Sequence, residues 1–160
     1  MHSQSPIQIL VVEDNLVVSD SIERMLVSMN YELVASVIDY ESAVAILKTN
    51  YIQLVLVDIV LATDRTGIEL GAYIRSEYDI PFIFITSNSD KSTVSEAKLV
   101  KPNGYLVKPF EKQDLFTAIE IALFNYQDQL NALEPAIQNN SYKKLPDGIL
   151  KDSIFIKKQH

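Results

Sequence analysis

Cysteine is absent from the sequence. That excludes a disulfide framework, a thiolate metal site and a cysteine nucleophile, and it fits a reducing cytoplasm. Long apolar runs are absent too. None approaches the roughly 18 residues needed to cross a bilayer, and the opening "MHSQSPIQIL" has neither a basic stretch nor an extended hydrophobic one. Neither membrane association nor export is expected, and a cytoplasmic location is. Positive charge is scarce: 21 Asp and Glu stand against 14 Lys and Arg, for a net charge of −7 and a pI of about 4.8. The chain as a whole should have little attraction for nucleic acid or an anionic membrane.

What is present suits a single globular core with a small appendage: 160 residues, 48% of them hydrophobic, with a mean hydropathy of +0.08. Charge divides the chain near residue 131. Residues 1–130 carry 18 acidic and 9 basic side chains, a net −9, whereas residues 131–160 carry 3 and 5, a net +2.

Four short runs rich in β-branched residues stand out: "IQILVV" at 7–12, "LVLVDI" at 54–59, "FIFIT" at 82–86 and "YLV" at 105–107. A weaker one, "ELVASVI", covers 32–38. Being continuous rather than alternating, the strong runs read as strands covered on both faces, as in a parallel sheet, although buried helix segments of this length look similar. Between them the spacing is helical. Val18, Ile22, Met25, Leu26 and Met29 follow a cap at Asp14 or Asn15; Ala43, Ile46 and Leu47 form a second stripe, and Ile68, Ala72 and Ile74 a third. After "YLVKPF", the residues Leu115, Ile119, Ala122, Tyr126 and Leu133 hold a stripe for about six turns. Five strand–helix units in alternation predict an α/β, flavodoxin-like, doubly wound (βα)5 fold. Its five-stranded parallel sheet would run in the order 2-1-3-4-5, with ligands outside the carboxyl ends of the strands at the switch point.

On that topology the adjacent Glu13 and Asp14 meet Asp58, remote in sequence, at neighbouring strand ends. Clustered carboxylates beside an apolar sheet are costly unless a cation neutralises them or some stay protonated. All-oxygen ligands, few in number, suit Mg²⁺ better than Zn²⁺ or Ca²⁺. The plainer alternative is that Glu13 and Asp14 cap the first helix and Asp58 merely opens a loop. Two more strand ends add a hydroxyl, Thr86, and an ammonium, Lys108. Acids for a metal, a hydroxyl and a lysine together suit a phosphoryl group, with Asp58 the best nucleophile candidate because it ends the central strand. Asn15 and Asn88, near the rim, read as cap or loop residues.

The segments "VVEDN", "LVLVDI", "FIFITS" and "GYLVKPF" resemble the signature segments of the response-regulator receiver domain of two-component signalling, in order, over residues 7 to about 128. The resemblance implies Mg²⁺ bound by Asp14, Asp58 and the backbone carbonyl of Val60, assisted by Glu13. It implies that Asp58 takes a phosphoryl group from a phosphohistidine on a sensor histidine kinase. Lys108 would pair with Asp58 or its phosphate, and Pro109 would follow a cis peptide. Phosphorylation would draw Thr86 toward the phosphate and turn Tyr105 inward, switching the face formed by helix 4, strand 5 and helix 5. The resemblance implies a phosphoacceptor that promotes its own Mg²⁺-dependent phosphotransfer and dephosphorylation rather than an enzyme acting on a separate substrate. Departures from the pattern are "IVLATDRTG" after Asp58, longer than usual but with Gly67 to turn into the third helix, and Ser87 after Thr86. The apolar end of helix 5, with Leu123, Phe124, Tyr126 and Leu130, suggests a phosphorylation-favoured homodimer through helices 4 and 5.

The expected organisation is a receiver domain at 1–130, a linker at 131–152, and at 153–160 the start of a truncated C-terminal domain. The tail "LPDGILKDSIFIKKQH" is similar to the linker and opening strand of a LytTR-type DNA-binding domain, so DNA would be reached only through a missing domain. The alternative is a stand-alone receiver that acts by protein–protein binding. A flavodoxin-like cofactor site is disfavoured because "EDN" after the first strand would repel a phosphate. A haloacid-dehalogenase-type hydrolase is disfavoured because the position two after Asp58 is Val60.

Overall fold

The computed structural model describes residues 4–87 and 91–139. Asn88 and the tail from 140 onward lie outside them. Five strands form one parallel sheet: β1 (Gln8–Val12), β2 (Glu32–Val37), β3 (Leu54–Asp58), β4 (Phe82–Ser87) and β5 (Gly104–Lys108), in the order β2-β1-β3-β4-β5. The helices between and after them are α1 (Leu16–Ser28), α2 (Tyr40–Thr49), α3 (Gly67–Glu77), α4 (Lys91–Leu99) and α5 (Lys112–Asn139). This is the doubly wound flavodoxin-like fold.

Alternation along each strand explains why the runs are apolar throughout. Leu10, Val12, Val55, Val57, Phe82 and Phe84 face one side, packing on Ala43 and Leu47 of α2 and Leu70 and Ile74 of α3. Ile9, Val11, Leu54, Leu56, Ile83 and Ile85 face the other, against Ile22 and Leu26 of α1 and Leu115, Ile119 and Ala122 of α5. With helices on both faces, neither parity of the strand can be polar. Each large aliphatic side chain so buried contributes about 1.5–3 kcal/mol, which makes β3, buried at every position, the anchor of the sheet.

Two helical stripes differ from expectation. On α3, Ala72 faces solvent, and the buried face is Gly67, Leu70, Gly71 and Ile74. Gly71 hides that face from an apolar pattern: a β-carbon there would come within 2.7 Å of the Phe84 ring and 2.9 Å of Phe82, so close packing has removed the side chain. On α5 the buried stripe fades after Ala122 into the half-buried Leu123 and Tyr126, and Leu133 is exposed because the helix has run past the sheet.

Candidate functional site

The site is built at the carboxyl ends of β1, β3, β4 and β5. Past the last residue of β1, the Glu13 N–H donates to the Val37 carbonyl at 2.9 Å, keeping the chain aligned with the sheet for one more step. The Glu13 side chain therefore stays inside, 1% exposed, with Oε1 accepting from the Asn15 N–H at 3.1 Å. Asn15 then caps α1, its Oδ1 accepting from the N–H groups of Val17 at 3.0 Å and Val18 at 3.3 Å. Of the two candidate caps, Asn15 performs that role, and the half-buried Asp14 belongs to the carboxylate cluster. One carboxylate oxygen from each of Glu13, Asp14 and Asp58 lies within 4.8 Å of the others.

Asp58 ends the central strand, paired with Ile85 of β4. Its Oδ1 accepts from the Val60 N–H at 2.9 Å, and its Oδ2 from Lys108 Nζ at 2.7 Å. Lys108, the last residue of β5, lies beside Ser87 on β4, and its long side chain reaches past that strand to β3. Its Nζ is also 3.0 Å from Glu13 Oε2. The Lys108–Pro109 peptide is cis, as the resemblance implies.

One ammonium thus serves two buried carboxylates with a third close by. Burial pushes the Glu13 carboxyl up to about 7, helped by a hydrogen bond shared with Asp58 and by its charge, while Lys108 and the Asn15 N–H pull the other way. Burial works against the Lys108 ammonium, but its bonds to Asp58 and Glu13 outweigh that and hold its pKa above the ordinary value. Glu13 Oε2 is buried and faces the Lys108 ammonium at 3.0 Å. Three carboxylates within 4.8 Å of one another, served by a single ammonium, leave negative charge to be balanced, and an all-oxygen donor set fits a hard divalent cation of the Mg²⁺ type.

Thr86 is half-buried at the end of β4, and its hydroxyl donates to the Ser87 carbonyl at 3.0 Å. Ser87 is exposed beside it. Tyr105 lies on β5, 37% exposed, with its ring centroid 6.2 Å from that of Phe84. The Val60 side chain points to solvent, 66% exposed, while its N–H holds Asp58. Two features escaped the sequence reading. The bridge from Lys108 to Glu13 crosses two strands and has no linear signature. Arg65, in the loop after Asp58, lies over the Tyr40 ring with its guanidinium carbon 4.0 Å from the centroid; the only hint was an arginine in that long loop.

Residues 9–120 match the family model of the response regulator receiver domain. The chain is 31% identical over 129 residues to the transcriptional regulatory protein PdtaR of Mycobacterium tuberculosis (strain H37Rv), covering 81% of this chain and 62% of that protein. It is 29% identical over 121 residues to the heme response regulator HssR of Staphylococcus haemolyticus (strain JCSC1435), covering 76% and 53%. The chain therefore spans less than two thirds of the length of either relative. Among solved structures it is similar to the signal receiver domain of a modulated diguanylate cyclase from Desulfovibrio desulfuricans G20, with a TM-score of 0.74 and 31% identity over 78% of this chain and 98% of that one. The matched span takes in Glu13, Asp14, Asp58 and Lys108, the residues that converge in space, and the chain belongs to the response regulator receiver domain family.

Proposed function

We propose that this chain is the phosphoacceptor of a two-component pathway, receiving a phosphoryl group on Asp58 from a phosphohistidine of a sensor histidine kinase. The observation that carries the reading is the Asp58 carboxylate itself: buried, ending the central strand, fixed by the Val60 N–H and the Lys108 ammonium, and within reach of two further acids. Asp14 and Asp58, with the Val60 carbonyl and support from Glu13, would hold Mg²⁺. When bound, that ion supplies positive charge to the phosphoryl oxygens.

The chain's own residues do the rest. An Asp58 oxygen forms the new P–O bond as the P–N bond to the imidazole breaks, and the bonding pair leaves with the histidine nitrogen. The Val60 N–H orients the attacking carboxylate, so little reorganisation is needed during transfer. Lys108, its ammonium already 2.7 Å from Asp58 Oδ2, moves from carboxylate to phosphoryl oxygen and keeps an ion pair throughout. Thr86, whose hydroxyl otherwise satisfies the Ser87 carbonyl, rotates to donate to the phosphate. The space it leaves admits the Tyr105 ring, which starts partly exposed against Phe84.

The output belongs to the same reading. The rearranged face of α4, β5 and α5 carries the signal to an output that acts on transcription, as the names of several relatives state for those proteins. A LytTR-like module after the receiver is the DNA-binding partner the tail resembles. The test is incubation with acetyl phosphate and Mg²⁺ followed by intact-mass measurement. A gain of one phosphoryl group by the native chain, abolished in Asp58→Asn and by EDTA, supports the reading; an unmodified native chain contradicts it.

A further inference from the structure

The loop between β3 and α3 carries Val60, and three fasteners hold it. Its ends are closed by the Gly67 N–H donating to the Ile59 carbonyl at 2.9 Å. Leu61 is buried in the core between the sheet and α2 and α3. The exposed tip, residues 62–66, has a fastener of its own in Arg65. The guanidinium lies over the ring of Tyr40, the first residue of α2, and its Nε donates to Glu69 Oε2 of α3 at 3.0 Å. The Thr63 hydroxyl donates to the Arg65 carbonyl at 3.3 Å, shaping the tip that presents the guanidinium. Tyr40 is itself held, its ring 6.0 Å from that of Tyr73, which lies 5.8 Å from that of Tyr78.

We propose that Arg65 is a positioning residue: by stacking on Tyr40 and pairing with Glu69 it ties the β3–α3 loop to α2 and presets the Val60 carbonyl for the divalent ion. The inference rests on the phosphoacceptor reading, which assigns that carbonyl as a ligand. A planar guanidinium on an aromatic face resists sliding in a way that a flexible ammonium does not. A ligand carbonyl fixed before the ion arrives spares the ordering cost that a mobile loop would incur on binding. The connection is longer than the family pattern, so its tip needs this extra restraint, and the Asp58-to-Val60 bond lies at its base.

The test is Mg²⁺ affinity by calorimetric titration on the native chain and on Arg65→Gln, Tyr40→Leu, Tyr40→Phe and the Arg65→Gln/Tyr40→Leu pair. Arg65→Gln and Tyr40→Leu should each weaken binding about three- to five-fold, which is about 0.7–1 kcal/mol at 1.4 kcal/mol per tenfold. The pair should bind no more weakly than Arg65→Gln alone, since that change already removes the stack on Tyr40 along with the Glu69 pair. Tyr40→Phe, which keeps the ring, should bind as the native chain does. Melting temperatures in EDTA should agree within about 2 °C for the native chain, Arg65→Gln and Tyr40→Phe. Equal affinity throughout overturns the inference, as does a loss of affinity in Arg65→Gln that follows a fall in its metal-free melting temperature. Failure of the native chain to bind Mg²⁺ is a different result, and it overturns the phosphoacceptor reading together with this inference.

Discussion

Asp58 is the residue around which the others are arranged, and its neighbours have no slack. Gly67 shows why. A β-carbon there would lie 1.9 Å from the Asp58 carbonyl oxygen and 2.9 Å from the Ile59 α-carbon, and backbone atoms cannot swing aside as a side-chain tip can. Gly67→Ala is expected to cost about 3 kcal/mol and to move Asp58, read as a lower urea midpoint together with a slower acetyl-phosphate reaction. Glu13 gives a pH signature. Its carboxyl pKa is about 7 in the fold against an ordinary 4.5, so between those values the folded metal-free protein holds more of the proton than the unfolded chain does. Its contribution to stability is complete below pH 4.5, declines as pH rises and is gone above about 7. Urea melts in EDTA from pH 4.5 to 8 should show this decline in the native chain, and the difference from Glu13→Gln isolates it. Mg²⁺, which favours the ionised carboxylate, should reduce that difference at the upper end.

Among the elements, the strands were legible because burial on both faces writes itself into sequence as unbroken apolar runs, and β3 reads in one line from Leu54 to Asp58. Helix α1 was legible from its stripe, and its start is set by one side chain. Asn15→Ala is expected to destabilise the protein by about 1 kcal/mol, measured by urea unfolding, without removing a carboxylate from the cluster. Helix α3 was misread at Ala72 because its contact with the Phe82 and Phe84 rings is made by Gly71, a residue with no side chain to register in a periodic pattern. The strand-end acids were visible because each follows its run directly. The links among them were not, because the reach of Lys108 across β4 and β3 to Glu13 and the stack of Arg65 on Tyr40 depend on side-chain length and crossing geometry, which linear spacing does not encode.

For the molecule as a whole, the order β2-β1-β3-β4-β5 turns three distant segments into one site, since only with β1 and β4 flanking β3 do the ends bearing Glu13, Asp58 and Thr86 adjoin. The face formed by α4, β5 and α5 carries exposed large apolar side chains, with Leu99 81%, Phe124 72%, Val107 45% and Tyr105 37% exposed. Phosphorylation that reorders this face should favour self-association: sedimentation velocity should show a shift toward dimer with beryllofluoride and Mg²⁺, and a monomer under both conditions would remove that part of the account. The central claim concerns covalent chemistry at one carboxylate, and borohydride trapping reaches it most directly. An acyl phosphate on an aspartate is reduced to homoserine, so peptide sequencing by mass spectrometry after acetyl phosphate, Mg²⁺ and borohydride should find homoserine at position 58. Homoserine elsewhere, or none at all in protein that folds and binds Mg²⁺, would contradict the account.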